Sequence, residues 1–256
     1  MPYYENCFTG LRYICGMKLL FSLFVIAVIG QVSAQEENGL FPESVTVDSL
    51  RTGDLKYRED QFYVAITYNA LGDKVTGVTQ NGFSSGFHLG FIRDFPLNFR
   101  RNIAIGLGVG LSGNSYNQNL LITEEGSDYN YTVLEDVSFS RNRFSAYLVE
   151  MPFEIRWRTS TATEFEFWRV YTGFKFAYVF YNSAKFRGDP ANSSLTNIND
   201  INALQYGLTL NIGYSNVNFH FYYGLNTIFD KGTSVTATGE SIDMKAIKIG
   251  LMFYIL

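Results

Sequence analysis

Two histidines and a run of alternating charges are the residues of this chain whose types and spacing could do chemistry. His88 and His220 are its only histidines. Glu150, Glu154, Arg156 and Arg158 fall at even spacing, and Arg169, Lys175 and Lys248 follow in later segments of similar character. Even spacing matters because successive side chains of a strand point to opposite faces, so these residues share one face if the segments are strands. Glu150 and Glu154 could then work as a general acid and base. A histidine near a carboxylate could carry protons. The same groups could equally pair with one another inside a narrow space and do no chemistry at all.

Other motifs are weaker. Gly108-Val109-Gly110-Leu111-Ser112-Gly113 matches the dinucleotide pattern GxGxxG. That pattern requires a helix after it within a parallel sheet. Here Asn114-Ser115-Tyr116-Asn117 follows, and Gly106 extends the glycines at period two, which suits glycines that give neighbouring side chains room. The sequence has no Walker loop or HExxH. Its two cysteines, Cys7 and Cys15, precede the expected mature chain, so neither a disulfide framework nor a zinc site is expected. No metal, no cofactor and no catalytic residue is assigned. A net charge of −4 over 256 residues argues against a nucleic-acid partner, which calls for a basic face.

The elements that must position these residues begin after an export signal. Met17 and Lys18 give a positive start, Leu19 to Ile29 an apolar run, and Val32-Ser33-Ala34 a small-x-small end. The run is too short to span a membrane as a helix, which takes ~20 apolar residues. Residues 1–34 are therefore expected to be a mis-called start followed by a signal peptide, with Met17 the initiator and cleavage after Ala34. Residues 35–60 are polar and lack a strand period, which fits a periplasmic segment: either a disordered lead-in or a docking strand for a periplasmic partner.

From residue 61 to 256, period-two alternation recurs eight times, over 61–71, 82–94, 102–113, 143–158, 164–182, 201–214, 216–228 and 244–256. The connections 72–81, 114–142, 183–200 and 229–243 are polar and mostly long. The others, 95–101, 159–163 and Ser215, are short. An even strand number with short and long connections in alternation is the pattern of an outer-membrane barrel, its short turns and both termini in the periplasm.

The two faces decide between a membrane barrel and a soluble one. In the third strand Ile103, Ile105, Leu107, Val109 and Leu111 alternate with Ala104, Gly106, Gly108, Gly110 and Ser112. In the seventh, Val217, Phe219, Phe221, Tyr223 and Leu225 alternate with Asn218, His220, Tyr222, Gly224 and Asn226. The apolar set is too bulky for the interior of eight strands, which barely accommodates side chains. It belongs outside, in lipid. The expected fold is all-β, an eight-stranded antiparallel transmembrane up-and-down β-barrel. Trp157 and Trp168 flank the short 159–163 turn, where interfacial aromatics lie.

The second face then holds Glu150, Glu154, Arg156, Arg169, Lys175, His88, His220 and Lys248 in the lumen. Size favours a polar plug with Glu150 and Glu154 paired to Arg169 or Lys175; a proton or ion path is the alternative.

The stretch Tyr147-Leu148-Val149-Glu150-Met151-Pro152-Phe153-Glu154 resembles the "YLE-(I/L)-P" strand of the PorT-like outer-membrane barrels of the Bacteroidetes. The segments FYVAITYN, GFHLGFIRD and KIGLMFYIL also resemble small barrels of the PorT or porin family. The resemblance implies an outer-membrane barrel over about residues 61–256. Because some members are needed for type IX secretion and gliding motility, it also implies an accessory role in protein secretion or envelope assembly. The expected protein is a non-catalytic barrel whose partners are outer-membrane lipid and periplasmic or outer-membrane proteins. A small-solute pore and a lipid-modifying enzyme are the alternatives.

Overall fold

The alternation along the chain becomes strands wherever one face can meet lipid and the other a packed interior. The computed structural model describes residues 60–98, 100–126, 128–134, 139–159, 167–188 and 192–255. The expected signal peptide, its cleavage site and the 35–60 segment lie outside them, except for Asp60. Eleven strands are described: β1 (Gln61–Gly72), β2 (Ser85–Pro96), β3 (Ile103–Asn117), β4 (Leu120–Glu125), β5 (Asp128–Val133), β6 (Phe139–Arg158), β7 (Trp168–Gly188), β8 (Ser193–Thr196), β9 (Leu204–Tyr214), β10 (Val217–Gly224) and β11 (Lys245–Ile255).

Eight of these close a barrel in the order β1-β2-β3-β6-β7-β9-β10-β11, every neighbouring pair antiparallel. The last strand returns to the first, with Phe62 opposite Ile255 and Gly72 opposite Lys245, so no edge is left open. Closure is obligatory in hydrocarbon, where an unpaired backbone amide has no water to bond. Outward residues such as Phe62, Ile66, Met151, Phe176 and Phe219 are exposed, while their neighbours in sequence are buried. The burial pattern of β9, strictly alternating over eleven residues, is typical.

Several boundaries differ from those read in the sequence. β3, β6 and β7 run past the expected 113, 143 and 182, because their upper ends pair above the lipid band. β10 stops at Gly224 rather than 228. The β9–β10 turn is two residues, 215–216, and not Ser215 alone. Ser215 takes the positive φ (53°) that such tight hairpins require. The described part of 164–167, expected as strand, is Phe167, which lies in the β6–β7 turn.

The largest difference lies in the long connections. These form a folded cap with its own apolar core rather than a set of polar loops. β4 and β5 make a separate two-stranded hairpin between β3 and β6, and β8 pairs with the upper end of β7. Leu120, Ile122 and Tyr131 of the hairpin are buried with Val75, Val78, Ile198, Ile201, Phe229 and Val235 from the other three connections. The cluster continues downward through Tyr116, Phe144 and Tyr222 on the barrel wall.

Polar contacts stitch the cap together. The Tyr131 hydroxyl donates to Asp200 Oδ2 at 3.0 Å, and its ring meets Phe229 edge-on at 5.6 Å. Thr236 exchanges hydrogen bonds with the Tyr131 backbone from the β10–β11 connection. Thr76 and Glu240 join the first connection to the last. Together with burial, the neighbouring Asp200 carboxylate holds the Tyr131 phenol above its ordinary ionisation range.

Candidate functional site

The lumen is built from the inward face of every barrel strand, and what fits there is set first by β3. Its inward residues are small: Gly106, Gly108, Gly110 and Ser112. A Cβ at Gly110 would stand 2.1 Å from the Tyr63 hydroxyl and 2.6 Å from the Leu89 carbonyl, and one at Gly106 2.6 Å from Arg156 Nε. Gly110 of the GxGxxG match is thus floor space for Tyr63, and Gly106 just before the match is floor space for Arg156. Pro152 has a related fit. The β3–β6 ladder skips Gly108 and Val109, across from Pro152 and Met151, where proline offers no N–H.

Over that floor stand the charged residues read from the sequence. All eight are buried. In the upper half Glu150 Oε1 lies 3.0 Å from His88 Nδ1, and Glu150 Oε2 lies 3.1 Å from Lys175 Nζ. Thr67 Oγ1 is 3.3 Å from the other nitrogen of His88 and hydrogen-bonds to Asn69, which in turn reaches Asn114 at 3.2 Å. His220 contacts Asn211 through Nδ1, and its ring centre lies 6.2 Å from that of His88. Lys248 sits 5.0 Å from the centre of the Tyr222 ring, a cation–π contact.

In the lower half Arg156 holds Glu154 through Nε at 3.0 Å and Asp94 through Nη1 at 3.2 Å. Arg158 forms a fork with the same Asp94, at 3.1 and 2.9 Å. Asn211 donates to the free oxygen of Glu154 at 3.1 Å, which links the two halves. Arg156 also lies over the Tyr171 ring at 4.6 Å, and Arg169 over Phe167 at 4.3 Å.

The pairing differs from the one expected. Glu154 takes Arg156 of its own strand rather than Lys175 or Arg169. Lys175 lies opposite Pro152, between the two glutamates, and turns up to Glu150. Among the described residues no carboxylate pairs with Arg169, whose neighbours are the faces of Phe167 and Tyr254. Asp94, Asn211, Thr67 and Asn69 join the site without having stood out in the sequence. Asp94 shares the parity of His88 on β2, and Asn211 the inward parity of β9, so the signal was present. In all, five buried cations face three buried carboxylates: the lumen carries a cationic excess.

Trp157 and Trp168 are outward-facing and exposed at the lower rim, where Trp168 packs edge-on against Tyr214 at 5.6 Å. Among the described residues no group of three or more His, Cys, Asp or Glu is placed to hold a metal.

A closed eight-stranded barrel with an apolar exterior and a polar, side-chain-filled interior is an integral protein of the bacterial outer membrane. The chain belongs to the outer membrane protein beta-barrel domain family, whose model matches residues 33–230. Solved structures that it is similar to include Ail, the attachment invasion locus protein of Yersinia pestis, at 16% identity and a TM-score of 0.35. The same protein in complex with the heparin analogue sucrose octasulfate matches at 14% identity and a TM-score of 0.34. Each match covers 77% of this chain and 99% of the other. No curated protein sequence matches.

Proposed function

We propose that this protein is a closed, non-conducting and non-catalytic barrel, a structural or accessory component of the outer membrane that acts through its surfaces. The observation that carries this reading is the double closure of the interior. The lower lumen is filled by Arg156, Arg158, Arg169, Tyr63, Tyr171 and Tyr254, all among the largest fully buried side chains. Above it the apolar cluster of the cap covers the mouth. Neither glutamate is poised for acid–base work: Glu150 is engaged by His88 and Lys175, and Glu154 by Arg156 and Asn211.

The finer assignment, to secretion or envelope assembly, rests on the PorT-like stretch at residues 147–154. Its Glu150 and Pro152 both belong to the packed lumen, so this stretch supports a shared way of building the barrel. Liposome swelling tests the closed reading. Vesicles carrying the folded protein should swell in small sugars no faster than empty vesicles. Solute-size-dependent swelling would instead establish a pore.

A further inference from the structure

Above the apolar belt, the outer wall of β6 and β7 carries four cations in two facing pairs. Arg143 stands opposite Lys185, and Arg141 opposite Arg187. Like charges directly opposite on neighbouring strands destabilise a sheet. Among the described residues no carboxylate pairs with any of the four; Arg143 Nε donates to Asn117 Oδ1 at 3.0 Å. An anion seated between the strands would offset this repulsion.

Height identifies the anion's setting. From Trp157 to Tyr147 the outward residues of β6 are Trp, Ile, Phe, Met, Val and Tyr. At ~3.3 Å per residue these ten steps run about 33 Å along the strand. With a tilt near 40° that is about 25 Å along the membrane normal, the height of a barrel's hydrocarbon band. The belt ends on Tyr147 and Tyr181, whose rings meet at 5.7 Å. Arg143 and Arg141 stand a further ~10 and ~15 Å above Tyr147 by the same conversion, beyond a headgroup layer of ~5–8 Å that their long side chains meet by reaching down toward it.

The shape of the wall agrees with this. A groove of about 630 Å³ runs up the outside of the barrel between Phe87, Leu111 and Phe180, with Gly113 in its floor and Arg143 at its top. A second groove of about 520 Å³, lined by Asn117, Ser140, Arg141 and Arg143, adjoins it. The lower groove is apolar along Phe87, Leu89, Leu111 and Phe180 and turns polar at Ser115 and Ser145. The upper one carries Arg141 and Arg143, and the two meet at Arg143, with Lys185 and Arg187 on the neighbouring strand outside both.

We propose that this wall is a binding site for a phosphorylated glycolipid of the outer leaflet. Its acyl chains lie along the lower groove, and a headgroup phosphate sits among Arg141, Arg143, Lys185 and Arg187. The test uses the folded full barrel in detergent, with lipid retention read by native mass spectrometry. Bisphosphorylated lipid A should be retained at least tenfold more strongly than the same lipid stripped of its phosphates. Arg143→Gln with Lys185→Gln should abolish that difference, whereas Arg143→Lys should preserve most of it. The double variant should also unfold no more readily than the parent in lipid-free detergent, because it relieves a repulsion, yet lose the stabilisation that lipid A gives the parent. Equal retention of the two lipids by the parent would overturn the proposal, and so would undiminished retention by a folded double variant. Displacement of the lipid by millimolar inorganic phosphate would overturn it too, by showing a site for soluble anions.

Discussion

His88 of β2 and Glu150 of β6 meet at 3.0 Å across the top of β3, the strand that separates them. The contact exists because β3 places Ser112 beside His88 and Gly110 beside Glu150, leaving little side chain in the way. A lumen wired in this manner ties strands that are not neighbours, a constraint that backbone ladders alone do not supply.

Glu150→Gln should therefore destabilise the barrel markedly. It removes the counter-charge of Lys175 and leaves that ammonium buried, a loss of roughly 3–5 kcal/mol for a broken buried pair. The urea midpoint for refolded protein in vesicles should fall, and Glu150→Gln with Lys175→Met should recover part of the loss. A single variant as stable as the parent would mean that Lys175 is solvated.

Tyr131→Phe probes the cap without touching the barrel wall. It deletes the hydrogen bond to Asp200 and leaves the cap more open to protease, at a cost of about 0.5–1.5 kcal/mol for a part-buried bond whose acceptor water can reach. The parent should show a matching pH dependence. The Tyr131 phenol is raised in the folded cap, so cap stability is full below the ordinary phenol value of about 10 and declines as pH climbs above it. Limited proteolysis from pH 7 to 11 should show the parent's cap opening in the alkaline range, and Tyr131→Phe losing much of that trend.

The barrel was legible in the sequence because lipid outside and a narrow lumen inside enforce period two on long strands such as β6 and β7. Inward residues could be read from parity alone, and Asp94 and Asn211 were on the right parity. Partners could not, since a strand's facing does not fix which side chain reaches which. Glu154 and Lys175 illustrate this: they share the inward face of adjacent strands, but Lys175 turns one way and Glu154 the other. The cap was illegible for a different reason. Its apolar residues, among them Val75, Ile198, Ile201, Phe229 and Val235, come from four connections and follow no period, so only their assembly in space reveals a core.

Orientation is tested by single cysteines at two exposed positions. Lys231→Cys lies in the long β10–β11 connection and Arg100→Cys in the short β2–β3 turn. A membrane-impermeant maleimide should label Lys231→Cys on intact cells, and Arg100→Cys only after the outer membrane is permeabilised. The reverse pattern would mean that the cap faces the periplasm.

Single-channel recording addresses the closed lumen most directly. With the folded protein inserted in a planar bilayer, which heat-modifiable migration of the same sample confirms, the account predicts a current indistinguishable from that of the bare membrane across moderate voltages and salt. Steady, ion-permeable openings of the parent protein would contradict it; anion selectivity in them would show ions passing the cationic lumen lined by Arg156, Arg158, Arg169, Lys175 and Lys248.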